Sequence, residues 1–461
     1  MRNERGVAML IALVVAVLLS LLCLSLTMSS MGEMQVSTEF ENHEKALLIA
    51  DAGYNAEKQR MRGDDLDTLL ARTTNVTVYK PDPAVENWAM RNPISPIDAR
   101  NVDFAHMPTG GTSTPVSGLL TPATGTLVAG GRYFARLTDN DDGDGNRLAD
   151  LDGTVYLRVI GIYANASAES SSGKNSVAII EAELHRDTSL QMTSPFSMIG
   201  QHVNADFQGQ PFLVDGYNHP GHAYDYDKAK HQSPKDDEGL VPFYGMNCLY
   251  KTPGTENAQP AVNDIIAALD KVPENVTGIG DSPSVTDGTT ALTGDQLNVL
   301  DPAYMQGLAT KLKAIADIAL PGDSTLNTAG YGTYDNPKIT YVNGDCNLRG
   351  GFEGAGILVV TGDLSGNGSF YFEGLILVLG TGVASFEGSN KVVLGGVLLA
   401  NFENDDSGVS FGTTSLRLHG NDQFLFSGDA INMAVNMTTM RTLSWREVTP
   451  EVEPLMAQVE Q

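Results

Sequence analysis

Cysteine is scarce in this chain, with three in 461 residues. That argues against a fold stapled by several disulfides. Cys23 lies inside an apolar run, which leaves Cys248 and Cys346 as an even pair. They are expected to form one bridge closing a loop of roughly 100 residues; two separately buried thiols are the alternative. Positive charge is short as well: 29 Lys and Arg stand against 56 Asp and Glu, for a formal net charge of −27. This balance argues against nucleic acid as a partner and against broad adhesion to anionic membranes, since both need clustered cations. Catalytic signatures are missing too. The chain has no Gly-x-Ser-x-Gly elbow, no His-Glu-x-x-His, no nucleotide-binding loop and no Cys-x-x-Cys, so no enzyme is expected. Finally, charge is absent from Val7 to Met28, and proline is absent before Pro81.

Those last two absences shape the N-terminus. The 22 residues from Val7 to Met28, rising 1.5 Å each, give roughly 33 Å, enough to cross a bilayer core. Arg2, Glu4 and Arg5 are the charges before the span, so the short N-terminus is expected in the cytoplasm and the bulk of the chain outside. A signal-peptide core would be shorter, and Ser25 to Gly32 offers no Ala-x-Ala cleavage site. Phe40, Ala46, Ile49, Ala50 and Gly53 continue the helical spacing beyond the membrane. One helix of ~55 residues, about 80 Å long, is predicted.

Here the sequence resembles a family. Arg5-Gly6 followed by Val7-Ala8-Met9-Leu10-Ile11-Ala12 is similar to a class III prepilin leader. Ser29-Ser30-Met31-Gly32 and Ala46-Leu47-Leu48-Ile49-Ala50-Asp51-Ala52-Gly53-Tyr54-Asn55-Ala56-Glu57 resemble the N-terminal domain of PilX-type minor pilins of type IV pili. The resemblance implies cleavage between Gly6 and Val7 by prepilin peptidase, methylation of Val7, and packing of the helix among other pilins. It implies residence in the inner membrane, then in a periplasmic or cell-surface filament. Major pilins of this kind carry a Glu five residues after the cleaved Gly, where it neutralises a neighbour's terminal ammonium in low dielectric. This chain has Ile11 there. That departure fits a low-copy or tip subunit rather than the bulk pilin. A pseudopilin-like subunit of a type II secretion system is the alternative.

The rest of the chain reads as an α+β, mostly β protein in three parts after the leader and helix of residues 1–62. Residues 63–193 form a small pilin-like head, opened by Gly63-Asp64-Asp65 and an irregular stretch with Pro81, Pro83, Pro93 and Pro96. Arg132 to Leu137, Thr154 to Tyr163 and Ser176 to Arg186 have strand composition. In the last, Ala178, Ile180, Ala182 and Leu184 alternate with polar neighbours.

Between the first two strands lies an acidic loop with six carboxylates from Asp139 to Asp152. Asn140-x-Asp142-x-Asp144-Gly145 has the spacing of a calcium (Ca2+) loop, with Asn146 at the carbonyl position. The twelfth position is Leu151, so Asp150 or Asp152 would have to supply the closing carboxylate. A structural calcium site is expected, with a solvated acidic turn as the alternative.

Residues 194–440 are punctuated by Gly. Apolar runs begin at Lys338, Gly356 and Gly374, 18 residues apart, and again at Gly395, 21 further on. The period points to a short parallel β-helix, or solenoid, with a β-sandwich as the competing fold. Val203 to Tyr217 is expected to be an earlier coil of the stack. Helices are predicted at Val262 to Val272 and from Pro302 to Ile318, the second capped by Asp301. Residues 441–461 read as a surface tail.

Two weaker patterns remain. His219 and His222, followed by Asp225, Asp227 and His231, are a remote zinc candidate. Phe-Glu-Gly repeats at Phe352, Phe372 and Phe386 would align Glu353, Glu373 and Glu387 if they stacked, which a membrane-anchored carbohydrate enzyme would need. The simpler reading is core Phe, solvated Glu and turn Gly. The partner of the β domain is an unspecified surface ligand.

Overall fold

A computed structural model describes residues 2–71, 119–120, 131–140, 142–143, 145–146, 149–163, 175–208, 212–222, 241–252, 254, 257–406 and 408–448. The expected Pro-rich stretch and the chain beyond residue 448 lie outside them. The chain divides into two compact units. One comprises Met1–Lys58, Asp67–Leu184 and Thr442–Gln461; the other comprises Gln59–Leu66 and His185–Arg441.

The first unit is a helix with an antiparallel meander. Helix α1 runs unbroken over Arg2–Arg60, as the absence of proline permits, and is followed by the short α2 at Leu66–Ala71. From Met9 to Glu41 every residue of α1 is exposed. The same helix then becomes half-buried: Ala46, Ile49 and Ala50 are fully covered and Tyr54 nearly so. These positions fall at i, i+3, i+4 and i+8, one face of a helix.

Strands β1 (Leu119–Leu120), β2 (Gly131–Asp139), β3 (Thr154–Tyr163) and β4 (Ser176–His185) follow in order. Strand β2 pairs antiparallel with β3, Tyr133 opposite Gly161. The small residues of the Ala-Asp-Ala-Gly segment have a steric purpose. A Cβ on Gly161 would come within 2.9 Å of the Ala50 Cβ, and a Cβ on Gly53 would meet the Tyr133 ring at 2.5 Å. The helix therefore lies against the sheet at backbone distance. Tyr133 also donates to the buried Glu57 Oε1 at 3.2 Å.

One expectation needs correction. Residues 441–461 do not begin a surface tail, because Arg441–Val448 is a strand that lies beside β4 and completes a five-stranded sheet. Arg446 reaches Glu181 of β4 at 2.5 Å, and Glu181 also holds Arg158 of β3 at 2.5 Å. The second unit is thus, in chain order, an insertion between two adjacent strands of the first unit's sheet. It begins at His185 rather than at residue 194.

The second unit is a parallel solenoid, so the β-sandwich alternative falls. Strands Ile318–Pro321, Lys338–Asn343, Phe352–Val360, Phe370–Gly380 and Val383–Asp405 pair in parallel, each with the next. The 18-residue period is one coil. Phe352 opposes Phe370 and Val360 opposes Val378. The wider fourth spacing has a local cause. Two extra residues enter at the corner between Val378 and Ala384, and one, Asn390, bulges before Lys391.

The recurring Gly marks a stacked corner. Gly356, Gly374 and Gly395 have φ of 114°, 123° and 135°, a region that disfavours side chains. A Cβ on Gly374 or Gly395 would also run into the backbone oxygen of the corner one coil below.

Val203–Gln208 does belong to the stack, but not as an early coil. It pairs with Thr414–Leu425, beyond the last sequential coil. Phe196–Ile199 likewise pairs with Val397 to Ala400, Met246–Leu249 pairs with Phe196–Ile199, and Val285–Asp287 with Met246–Leu249. The earlier chain segment therefore crowns the later one. Helix α3 (Gln259–Ala268) packs on Val203–Gln208 and adds Ala261, Val262 and Ile265 to the interior cluster. Its start precedes the expected Val262 because Pro260 opens the first turn. Helix α4 (Pro302–Ala314) begins as predicted, with Asp301 Oδ1 accepting from Ala303 N at 2.9 Å. It covers one solenoid flank through Met305, Leu308 and Leu312; α5 (Gly428–Asn436) covers the same flank through Ile431 and Ala434.

The expected Cys248–Cys346 bridge is also corrected. Both are free, buried thiols within the interior cluster. Cys248 sits in the crowning coils opposite Met198, whereas Cys346 lies in a lower coil between Ser324 and Leu364. Stack order separates what sequence parity paired.

Candidate functional site

Two regions have the makings of a site: the exposed half of α1 and the acidic loop of the first unit. Gly6 and Val7, the expected processing pair, fall in the helical backbone of α1. Downstream, Met9–Arg60 is the single helix among the described residues long and apolar enough to cross a membrane. Ile11, where a major pilin would place its Glu, is 57% exposed.

The acidic loop is built by the β2–β3 hairpin. Asp139 is the last residue of β2 and is fully buried. Gly143 and Gly145 turn the chain with φ of 95° and 72°, as the loop reading requires. Carboxylate oxygens of Asp139, Asp142 and Asp150 all lie within 4.8 Å of one another. Asp142 Oδ2 accepts from Leu151 N at 2.6 Å, and Asp150 Oδ2 accepts from Gly153 N at 3.0 Å. Asp67 of α2 accepts from Asp150 N at 2.7 Å and ties the helix to the loop.

The expected ligand set is therefore regrouped. Asp142 and Asp150 converge, with Asp139 in place of Asn140 as the first residue. Asn140 Nδ2 instead donates to Asp152 Oδ2 at 3.1 Å, and Asp152 Oδ1 accepts from Thr154 N at 2.7 Å, so Asp152 caps the hairpin. Asn146 is exposed, and Asp144 lies outside the described residues. Counting from a helix-loop-helix calcium motif placed Asn140 first; the register of a strand end turned Asp139 inward instead.

Electrostatics follow the geometry. Burial, with the Asp152 charge next, pushes the Asp150 carboxyl up to about 7, and its bond from Gly153 offsets part of this. The buried Oδ1 atoms of Asp150 and Asn140 receive no hydrogen bond among the described residues. An all-oxygen donor set crowded with negative charge suits a hard cation such as calcium.

Elsewhere the weaker patterns separate. His219 is fully buried and pairs with Asp215 at 3.1 Å. Exposed His222 lies 3.9 Å from Glu373. Asp225, Asp227 and His231 lie outside the described residues. The three Phe-Glu-Gly carboxylates occupy different ladders. Glu353 opposes Tyr371, Glu373 opposes Leu394 and Glu387 opposes His419. Glu353 and Glu387 are exposed, while Glu373 is buried and accepts from His222 N at 2.6 Å. Sequence reasoning did not find a cavity of about 270 Å³ beside α4, lined by His185, Asp295, Tyr304, Leu308, Leu312 and Ile315 among others. Its polar wall is closed by a His185–Asp295 pair at 2.6 Å and by the Tyr304 hydroxyl on Asp187. No local signal joins those residues, which come from three separate segments.

No protein-family model and no curated protein matches the chain. Among solved structures, the competence-associated pilin ComZ from Thermus thermophilus is similar over 88% of this chain and 97% of its own, at 13% identity and a TM-score of 0.21. That similarity is too low to carry a structural argument.

Proposed function

We propose that the chain is a minor subunit of a type IV pilus, matured by cleavage between Gly6 and Val7. The observation that carries this reading is the division of α1. From Met9 to Glu41 it is exposed throughout, and beyond that one face, through Ala46, Ile49, Ala50 and Tyr54, is buried. An apolar helix left uncovered for some thirty residues needs either lipid or other helices around it. Before assembly the inner membrane would supply lipid; in the filament, neighbouring pilin helices would replace it. With Ile11 uncharged, this subunit cannot neutralise a neighbour's terminal ammonium, which suits a low-copy or tip position. The inserted solenoid would then be displayed outside the membrane toward a surface ligand. Calcium would sit among Asp139, Asp142 and Asp150, holding the hairpin rather than activating a nucleophile.

N-terminal mass spectrometry of membrane-extracted mature protein tests the reading. N-methylated Val7 as the first residue is expected. An intact Met1, or a cut beyond Met28, would reduce α1 to an anchor or export signal.

A further inference from the structure

Among the charged groups buried in the solenoid is a fully covered lysine–aspartate pair. Phe352 and Phe370 occupy consecutive rungs of an interior ladder, and Lys391 and Asp422 take the next two. Asn390, with φ of 58°, bulges immediately before Lys391 and shifts the register so that the lysine takes this rung. Lys391 and Asp422 are both fully buried, with Nζ 2.6 Å from Oδ1. Phe352, Phe370, Phe386 and Phe424 belong to one interior apolar cluster. Asp422 Oδ2 receives no hydrogen bond among the described residues. A buried ion pair is poorly provided for when its remaining lone pairs go unsatisfied, because desolvation then outweighs attraction. Burial holds the Asp422 carboxyl above the usual carboxylate range, an effect the lysine only partly offsets.

We propose that Lys391 and Asp422 are the partners of an intramolecular isopeptide bond that staples two coils from the inside. Proton transfer from Nζ to Oδ1, along the hydrogen bond already present, gives a neutral amine and a neutral carboxylic acid. The amine lone pair attacks Cγ, the Nζ–Cγ bond forms, and one Cγ–O bond breaks. The oxygen leaves with two protons as water, so no oxidant or co-reactant is needed. Fixed proximity substitutes for concentration, and the amide removes both buried charges. The bond would link residues 31 apart in sequence. It lies where the stack passes from coils in chain order to the crowning coils at Val203–Gln208 and Leu213–Asp215.

Peptide mapping of the purified full-length protein, unfolded and digested, reads the bond directly. The peptides carrying Lys391 and Asp422 are expected joined, lighter than their sum by one water, with fragment ions placing the link at these two side chains. Recovery of the two peptides separately at full mass overturns the proposal and leaves an ion pair. A water loss mapped to any other residue overturns it equally. Lys391→Met should abolish the joined species. Asp422→Asn preserves shape and should give the same amide with loss of ammonia, so the test does not depend on the first variant folding.

Discussion

The two units bury their backbones by opposite means. In the first, a helix lies on an antiparallel sheet, and the approach depends on a few small residues, Ala46, Ala50, Gly53 and Gly161, meeting across one surface. In the second, each coil rests on a near-copy of itself, so one requirement, such as the Gly corner, recurs at every level. A defect in the first unit is expected to stay between two elements, and one in the second to be felt by the coils above and below it.

The sharpest way to break this contrast is at a corner. Gly374→Val places a side chain at φ of 123° and drives it into the Gly356 backbone. A loss of about 4 kcal/mol is expected, read by denaturant unfolding, with hydrogen exchange rising in the coils of Phe352–Val360 and Val383–Asp405. Protection lost at residue 374 alone would refute the cooperative picture. Gly161→Val should cost about 2 kcal/mol by overpacking against Ala46 and Ala50. Its raised exchange should be confined to residues 42–58 of α1 and to strands β2 and β3.

The acidic loop sharpens the comparison from the ligand side. Calcium at 100 times its dissociation constant would stabilise the first unit by about 2.7 kcal/mol. Asp142→Ala with Asp150→Ala should erase that gain in a calcium-dependent melting curve, and an undiminished gain would move the ion elsewhere. The smallest effect is expected from reductant. With Cys248 and Cys346 as free thiols, dithiothreitol should leave the melting temperature unchanged. All three cysteines should alkylate in denaturant without prior reduction.

Some of this was legible because it is local. The uncharged run from Val7 and the lack of proline set α1. Alternation set β4, and Asp301-Pro302 set the start of α4. The spacing of Gly356 and Gly374 reported the coil length. Other features depend on segments far apart in sequence. Nothing within Arg441–Val448 says that it lies beside Ser176–His185, since its side chains are mostly exposed and its pairing is made by backbone groups. Asp139 was overlooked because the loop was counted from Asn140, and only the strand register reveals which carboxylate turns inward.

The sequence by itself determined the exposed apolar helix, the three strand segments of the head and the repeating coil, because each arises from periodicity over one element or between neighbouring coils. Tertiary structure alone decided that Phe196–Ile199, Met246–Leu249 and Val285–Asp287 crown coils that follow them in the chain, that the strand Arg441–Val448 makes the solenoid an insertion, and that Cys248 and Cys346 lie in different coils. The physical reason is common to all three. A parallel ladder end and a sheet edge accept any extended backbone of suitable twist, so their occupants are chosen by chain topology and packing rather than by a local residue pattern.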